Sequence, residues 1–490
     1  MKSDGSYRQI LRSTGIIGGA SIINVLISLI RIKVAAILLG PAGIGLIGLY
    51  QSLISTAAII TGFGISNVGT RQIAQANKNQ EVGAADDVRR ALFLAALALS
   101  IVGGCVFWLF RDVIANHILQ DKLLSDMIGW MGLGVAFTIA AGSQVAVLQG
   151  MRKTGDIARL SIFSALISTV ISIAMLFSFG IKGIIFFILV IPAANFAVGF
   201  WYMSKLPRIN SKVTPLGTLL TQWKTLIRMG IPFMLAGLIA VLAQLLMRTM
   251  VQREMGAEVL GNFQAAWQVS MTYIGIVLTA MGTDYYPRLT SIIKDRVSAE
   301  KMVNEQTEMA LLLAGPLLIA MLALAPWIVD LLYSNAFGAA AEILRLHVLG
   351  DILKIVSWPL GYMLLATGDG RSYLATEAIG YGTLVIATAV LIPIIGVNAT
   401  GAAFAMMYLT YLPCVYWIVK KRTGFTWSMA VKNRFFILLL SGITCSLLIT
   451  YIPNVGSVLS FFLSICLACE TLRRMHKLGL MKVIFNKLGN

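Results

Sequence analysis

The sequence predicts an all-α polytopic membrane protein of about fourteen transmembrane helices. Three observations predict it. Hydrophobic residues make up 58% of the chain and charged residues only 12%, about half the charged share of a soluble domain. So little charge cannot cover a water-facing surface, whereas a lipid-facing surface does not need it. The apolar residues also fall in runs of roughly 18–25, enough to cross a hydrocarbon core of ~30 Å at 1.5 Å per residue. Finally, most Lys and Arg lie in alternate short connectors, the asymmetry that orients membrane spans.

The predicted spans are 14–39, 42–66, 90–110, 126–150, 157–179, 182–203, 226–250, 258–283, 307–332, 341–366, 373–395, 399–420, 434–452 and 455–472. The first run lacks a small-residue cleavage pattern and is too long for a signal sequence, so it stands as span 1. A Gly40-Pro41 turn separates it from span 2, and Arg71, Lys78, Arg89 and Arg90 lead to span 3. The next loop carries Asp112, Asp121 and Asp126 against Arg111 and Lys122, the balance of an external loop. Thr154-Gly155-Asp156 divides spans 4 and 5, and a basic stretch from Lys205 to Arg228 follows span 6. Span 12 ends in another, from Lys420 to Arg434, and spans 13 and 14 meet at a short link around Pro453. Both termini are expected in the cytoplasm of a bacterial inner-membrane protein. The organisation expected is a cytoplasmic segment 1–13, an N-lobe 14–203, a cytoplasmic linker 204–225 and a C-lobe 226–420. Residues 421–472 then form spans 13 and 14, and 473–490 a basic cytoplasmic tail.

The two lobes read as a repeat. Gly40-Pro-Ala-Gly-Ile-Gly45 matches Gly256-Ala-Glu-Val-Leu-Gly261, Arg71 matches Arg288, and Thr154-Gly-Asp156 matches Thr367-Gly-Asp369, in the same order at nearly one displacement. Six spans fit in that displacement. An even number gives both halves one orientation, the parallel kind of repeat that typically encloses a binding site.

The net charge of +18 would suggest nucleic acid in a soluble chain; here its place in the connectors gives it a topological meaning, and no nucleic-acid partner is expected. There is no Walker-type loop and no zinc-ligand spacing. No catalytic residue, metal or cofactor is expected, and the energy source is an H+ or Na+ gradient or the substrate's own flow. Cys105, Cys414, Cys445, Cys466 and Cys469 all lie in or at the ends of apolar runs, where packing explains them. His117, His347 and His476 are scattered.

Polar groups at membrane depth are the candidate site. Each costs about 2.5–3.5 kcal/mol on the insertion scale and needs an account. Arg31 and Lys33 in span 1 point to nearly opposite sides of the helix, so at least one faces protein or water rather than lipid. Snorkelling is the alternative, and it suits Lys33 better. Arg248 in span 7 is the corresponding cation of the other half. Span 10 carries His347, Asp351, Lys354 and Trp358 at i, i+4, i+7 and i+11, one stripe on an apolar helix. Two readings of that stripe stand side by side: an Asp351–Lys354 ion pair that fixes packing, and a proton site that competes with substrate. Glu377 in span 11 is a coupling or a capping residue. Gln264, Gln268, Trp267 and Thr272 in span 8, with Gln51 in span 2 and Gln144 in span 4, act as interhelical glue or as a lining for sugar hydroxyls. A cationic lumen suits an anion, and lipid-bound phosphates are the membrane-resident anions.

At Gly40-Pro-Ala-Gly-Ile-Gly-Leu46, His347-Val-Leu-Gly-Asp351-Ile-Leu-Lys354, Gly361-Tyr-Met363, Thr376-Glu377, Arg248 and Pro287-Arg288-Leu289, the chain resembles the Wzx flippases. These are the O-antigen translocases and lipid III flippases of the multidrug/oligosaccharidyl-lipid/polysaccharide exporter superfamily. The resemblance covers roughly residues 14–420; spans 13 and 14 depart from its twelve-helix members. It implies two six-helix lobes in a V around a basic cavity. It also implies transfer of undecaprenyl-diphosphate oligosaccharide from the cytoplasmic to the periplasmic leaflet by alternating access coupled to an ion gradient. On that reading Arg31, Lys33, Arg248, Gln51, Gln264, Gln268, Trp267 and Trp358 bind substrate, while His347, Asp351, Lys354 and Glu377 couple or gate. Expected partners are the lipid-linked glycan, the bilayer, and a polysaccharide polymerase with other assembly proteins. The alternatives are a multidrug or cation antiporter, a lipid II flippase, and a non-transporting scaffold for polysaccharide assembly.

Overall fold

A computed structural model describes residues 3–79, 84–119, 125–206 and 216–477. Residues 207–215 of the expected linker, most of the basic tail, and Asp121 and Lys122 lie outside the described residues. The helices in chain order are α1 (Ser3–Gly62), α2 (Ile65–Asn79), α3 (Ala84–Leu109), α4 (Arg111–Ile114), α5 (Ser125–Gly150), α6 (Thr154–Phe179) and α7 (Ile184–Ser204). They continue with α8 (Leu216–Ile292), α9 (Arg296–Leu332), α10 (Gly338–Ala366), α11 (Gly370–Ile395), α12 (Ala399–Thr423), α13 (Met429–Tyr451) and α14 (Pro453–Lys477). Among the described residues there is no strand.

Ten continuous helical stretches are long and apolar enough to cross a membrane. Four of them, of 44, 51, 60 and 54 residues, are twice the ~20 residues that one crossing needs. Each of the four contains a break, so together they supply eight crossings, which makes fourteen among the described residues. The breaks explain themselves through backbone conformation. Gly40 (φ 64°, ψ −169°) interrupts α1 and Gly256 (φ 85°, ψ 174°) interrupts α8, a region of φ/ψ space open essentially to glycine alone. Gly180 (φ 55°, ψ −131°) ends α6 and Gly396 (φ 59°, ψ −131°) ends α11. Both pairs are 216 positions apart, so the repeat read from turn sequences is a repeat of backbone geometry. One boundary differs: span 2 stops at Gly62, because Phe63 and Gly64 both take positive φ before α2 begins.

The chain divides into two compact units, Met1–Gly261 and Asn262–Asn490. That division falls inside α8 rather than in the connector before it. The first half of α8 packs within the first unit: the Trp223 indole donates to the Ala91 carbonyl at 3.0 Å, and Gly64 lies against the Gly230 carbonyl with no room for a Cβ. Small residues serve the same close approach elsewhere in this unit. Gly104 of α3 and Gly132 of α5 each abut the other's carbonyl, the small-residue contact that membrane helices use in place of a hydrophobic driving force.

In the second unit α9 shows how intramembrane prolines are accommodated. Pro316 and Pro326 withdraw the helical donors of Leu312 and Leu322. Thr471 Oγ1 of α14 donates to the Leu312 carbonyl at 2.9 Å, and Arg345 Nε of α10 donates to that of Leu322 at 3.3 Å. Both orphaned acceptors are therefore met by neighbouring helices, and α14 is fixed to α9.

Candidate functional site

The second unit gathers the stripe of α10 against α8, α11 and α12. His347 and Asp351 are fully buried. The His347 ring sits edge-on among Phe263, Trp267 and Phe404. Asp351 Oδ2 accepts from Ser270 Oγ and from the Tyr273 hydroxyl, each at 2.7 Å. These two hydroxyls, rather than Lys354, hold Oδ2, so the ion pair that was one reading of the stripe is not formed, and Oδ1 is buried without a hydrogen-bond partner. Lys354 Nζ instead approaches Met271 Sδ at 3.3 Å and the rings of Phe404 and Tyr408 at 5.9 and 5.8 Å.

Beyond Lys354 opens a cavity of about 190 Å³. Its wall is Lys354, Ser357, Trp358 and Tyr362 from α10, Tyr373 and Glu377 from α11, and Met407, Tyr408 and Tyr411 from α12. Glycines make the room for this aromatic lining. A Cβ at Gly380 would lie 3.1 Å from the Tyr411 ring and one at Gly361 3.3 Å from its hydroxyl, so Tyr411 wedges between α10 and α11 where both lack side chains. Its hydroxyl donates to Glu377 Oε1 at 3.0 Å. Trp358 stacks on Tyr285, whose hydroxyl donates to the Pro359 carbonyl at 3.1 Å. The result is one ammonium and one carboxylate among flat aromatic faces, groups able to meet an anion, hydroxyls and the apolar faces of sugar rings.

The first unit holds a larger cavity, about 520 Å³, lined by Gln51 and Ser55 of α1, Thr138 and Gly142 of α5, Ser161 of α6, and Pro192 and Asn195 of α7. It carries no charged side chain. Pro192 also leaves the Ile188 carbonyl, on the same wall, without its i+4 donor. The Asn24 amide donates to Ser161 Oγ.

The two cavities are one cavity built twice. Nine of the lining positions correspond at a displacement of 216, among them Thr138 and Lys354, Gly142 and Trp358, Ile157 and Tyr373, Ser161 and Glu377, Pro192 and Tyr408, and Asn195 and Tyr411. Larger aromatic side chains occupy the second copy, which explains its smaller volume.

Of the residues singled out from sequence, Gln51 lines the first cavity and Lys354, Trp358 and Glu377 the second. His347, Asp351 and Trp267 form the packed wall behind the second. Gln268 bonds Thr272 on its own helix at 3.3 Å, and Gln264 is buried. Gln144 packs on Gly199. Arg31, Lys33 and Arg248 line neither cavity. Arg31 faces protein, donating to Ser168 Oγ at 3.3 Å and lying 5.8 Å over the Phe187 ring, while Lys33 is half-buried. Arg248 is buried and donates to Gln244 at 3.3 Å. Sequence reasoning passed over Ser270, Tyr373, Tyr408, Tyr411 and Asn195. The signal for the last four was available: each is the repeat partner of a residue on the other wall.

Residues 34–342 match the model of a family described as polysaccharide biosynthesis protein. The chain belongs to that family. It is 23% identical over 388 residues to the lipid III flippases of Escherichia coli (strain K12) and Shigella flexneri, covering 77% of this chain and 90% of each of them. In fold it is similar to the lipid II flippase MurJ in an inward closed conformation, with TM-score 0.69, 14% identity, and coverage of 94% of this chain and 98% of that one. It is also similar to an inward-facing multidrug resistance MATE family transporter of the MOP superfamily, with TM-score 0.68, 15% identity, and coverage of 84% and 96%. This polysaccharide biosynthesis family member is thus a multi-pass membrane protein with a transporter fold.

Proposed function

We propose that the protein is a flippase that moves undecaprenyl-diphosphate-linked oligosaccharide, an O-antigen or similar repeat unit, from the cytoplasmic to the periplasmic leaflet of a bacterial inner membrane. Both termini lie in the cytoplasm, and the protein transports rather than catalyses. The observation that carries the reading is Lys354: an ammonium with no carboxylate within ion-pair distance among the described residues, held in an aromatic-walled cavity. Within the polysaccharide biosynthesis family, that arrangement fits an acidic sugar or a lipid phosphate. The neutral cavity of the first unit carries amides and hydroxyls of the kind that meet sugar hydroxyls, and the polyprenyl tail stays in the bilayer, which lowers the barrier to crossing. Alternating access coupled to H+ or Na+ would drive the cycle, with Glu377 and Asp351 as the carboxylates available to titrate. Arg31, Lys33 and Arg248 act as long-range cations that raise the local concentration of the anionic headgroup. A polysaccharide polymerase and other assembly proteins would receive the product.

The test is leaflet-to-leaflet transfer of a labelled polyprenyl-diphosphate sugar in proteoliposomes. Transfer above protein-free vesicles is expected; none, with folded protein, rejects the reading. Glu377 in the second cavity favours one competing function, proton-coupled export of cationic drugs. Raised drug tolerance on overexpression, with proton uptake on adding drug, would select it instead.

A further inference from the structure

A third cavity, about 310 Å³, lies outside the repeat, between α9, α13 and α14. One end is apolar, formed by Leu311, Pro316 and Leu467; the other carries Asn433, Arg434 and Arg474, with the Glu470 carboxylate on the same wall. Arg434 Nε pairs with Glu308 at 3.1 Å, and Arg474 Nε pairs with Glu470 at 3.0 Å. Each guanidinium has five donors in a planar fork, so each spends only part of its capacity on protein. Arg434 Nη2 is buried without a hydrogen-bond partner, a costly state that a ligand oxygen would relieve. The framework is fixed rather than adventitious, since Thr471 on this wall anchors α14 to the carbonyl freed by Pro316.

The position suits an amphiphile. Arg434 lies near the start of α13, Arg474 near the end of α14, and Glu308 where the apolar run of α9 begins. Lys432 and Arg473 add positive charge beside them. Basic groups at the ends of membrane helices with apolar surface below are how interhelical clefts hold anionic headgroups.

We propose that this cavity seats the phosphate headgroup of an anionic diacyl phospholipid, with Arg434 and Arg474 as its donors and the apolar end taking the glycerol and upper acyl carbons. The proposal is independent of the flippase reading. The full-length protein, purified in detergent and delipidated, is titrated with dioleoylphosphatidylglycerol, dioleoylphosphatidylcholine or sodium phosphate, with binding read by native mass spectrometry and thermal unfolding. Phosphatidylglycerol should bind about tenfold more tightly than phosphatidylcholine, and phosphate alone should give no stabilisation. Arg434→Gln should weaken phosphatidylglycerol binding about tenfold. Because that change also breaks the Glu308 pair, two further variants guard the test: Arg474→Gln, which breaks only the exposed Glu470 pair, and Ile437→Trp, which fills the cavity from its exposed side with both guanidiniums intact. Both should lose affinity, whereas Lys301→Gln on the exposed face of α9 should not. Unchanged phosphatidylglycerol binding in Arg474→Gln and Ile437→Trp, equal binding of phosphatidylcholine, or equal stabilisation by phosphate alone would each overturn it.

Discussion

The cavities of the two units correspond in three helices and nine lining positions but not in chemistry. The first has Thr138, Gly142, Ser161, Pro192 and Asn195 where the second has Lys354, Trp358, Glu377, Tyr408 and Tyr411. The difference extends into the wall behind. Asp351, Ser270 and Tyr273 form a buried polar cluster, whereas the repeat partners of these residues are Val135, Ile54 and Ala57. The two halves thus share their backbone breaks, while one cavity is neutral and roomy and the other charged and aromatic. Position in the repeat specifies where a cavity is; the side chains decide what it can hold.

The largest expected effect comes from making the second wall like the first. Asp351→Val leaves two buried hydroxyls without an acceptor, which should cost roughly 2–6 kcal/mol at 1–3 each. Adding Ser270→Ala and Tyr273→Phe removes the orphaned donors and should restore most of that stability. Thermal unfolding of the single and triple variants decides it, and a triple variant no more stable than the single would show that the cluster is not a self-contained unit. Next, Lys354→Thr, which copies Thr138, should lower glycolipid transfer about ten- to hundredfold at unchanged abundance, the worth of a charged hydrogen bond. Gln51→Ala in the neutral cavity should lower it only about two- to tenfold. Equal losses would erase the functional contrast between the cavities.

Gly142→Trp installs the second unit's indole in the first cavity, and transfer should fall about tenfold if that space is occupied by glycan. Wild-type transfer with the cavity filled would mark it as empty packing space. The shared frame is probed by Gly40→Ala and Gly256→Ala, each expected to destabilise by about 1–3 kcal/mol because both glycines hold positive φ; a large inequality between them would separate the repeat's two turns. The smallest effect lies at the connector after α10. The Ser372 hydroxyl and backbone N–H hold the Asp369 carboxyl below the ordinary carboxylate range, with Arg422 nearby. Its contribution is therefore present at neutral pH and fades as pH falls below about 4. Asp369→Ala should lower the unfolding temperature slightly at pH 7 and not at all well below that range.

The turns, the spans and the repeat were legible because they depend on local chemistry: apolar run length, and glycine where φ must be positive. Gln51, Lys354, Trp358 and Glu377 were legible as polar residues where lipid would forbid them. The aromatic half of the site was legible only through the repeat, since Tyr408 and Tyr411, in the middle of α12, read equally well as core packing. Arg31 illustrates the opposite limit: its depth was clear from the chain, but its hydroxyl and aromatic partners belong to α6 and α7, more than a hundred residues away.

By itself the sequence determined that the chain crosses a membrane many times in two similar halves, because hydrophobic length and backbone permissiveness are properties of neighbouring residues. Only the tertiary structure decided that Asp351 turns to two hydroxyls instead of Lys354, and that corresponding positions line a neutral cavity in one unit and a charged one in the other. Those outcomes depend on which helix faces close enough to offer a partner, a matter of distances that periodicity along one strand of sequence does not contain.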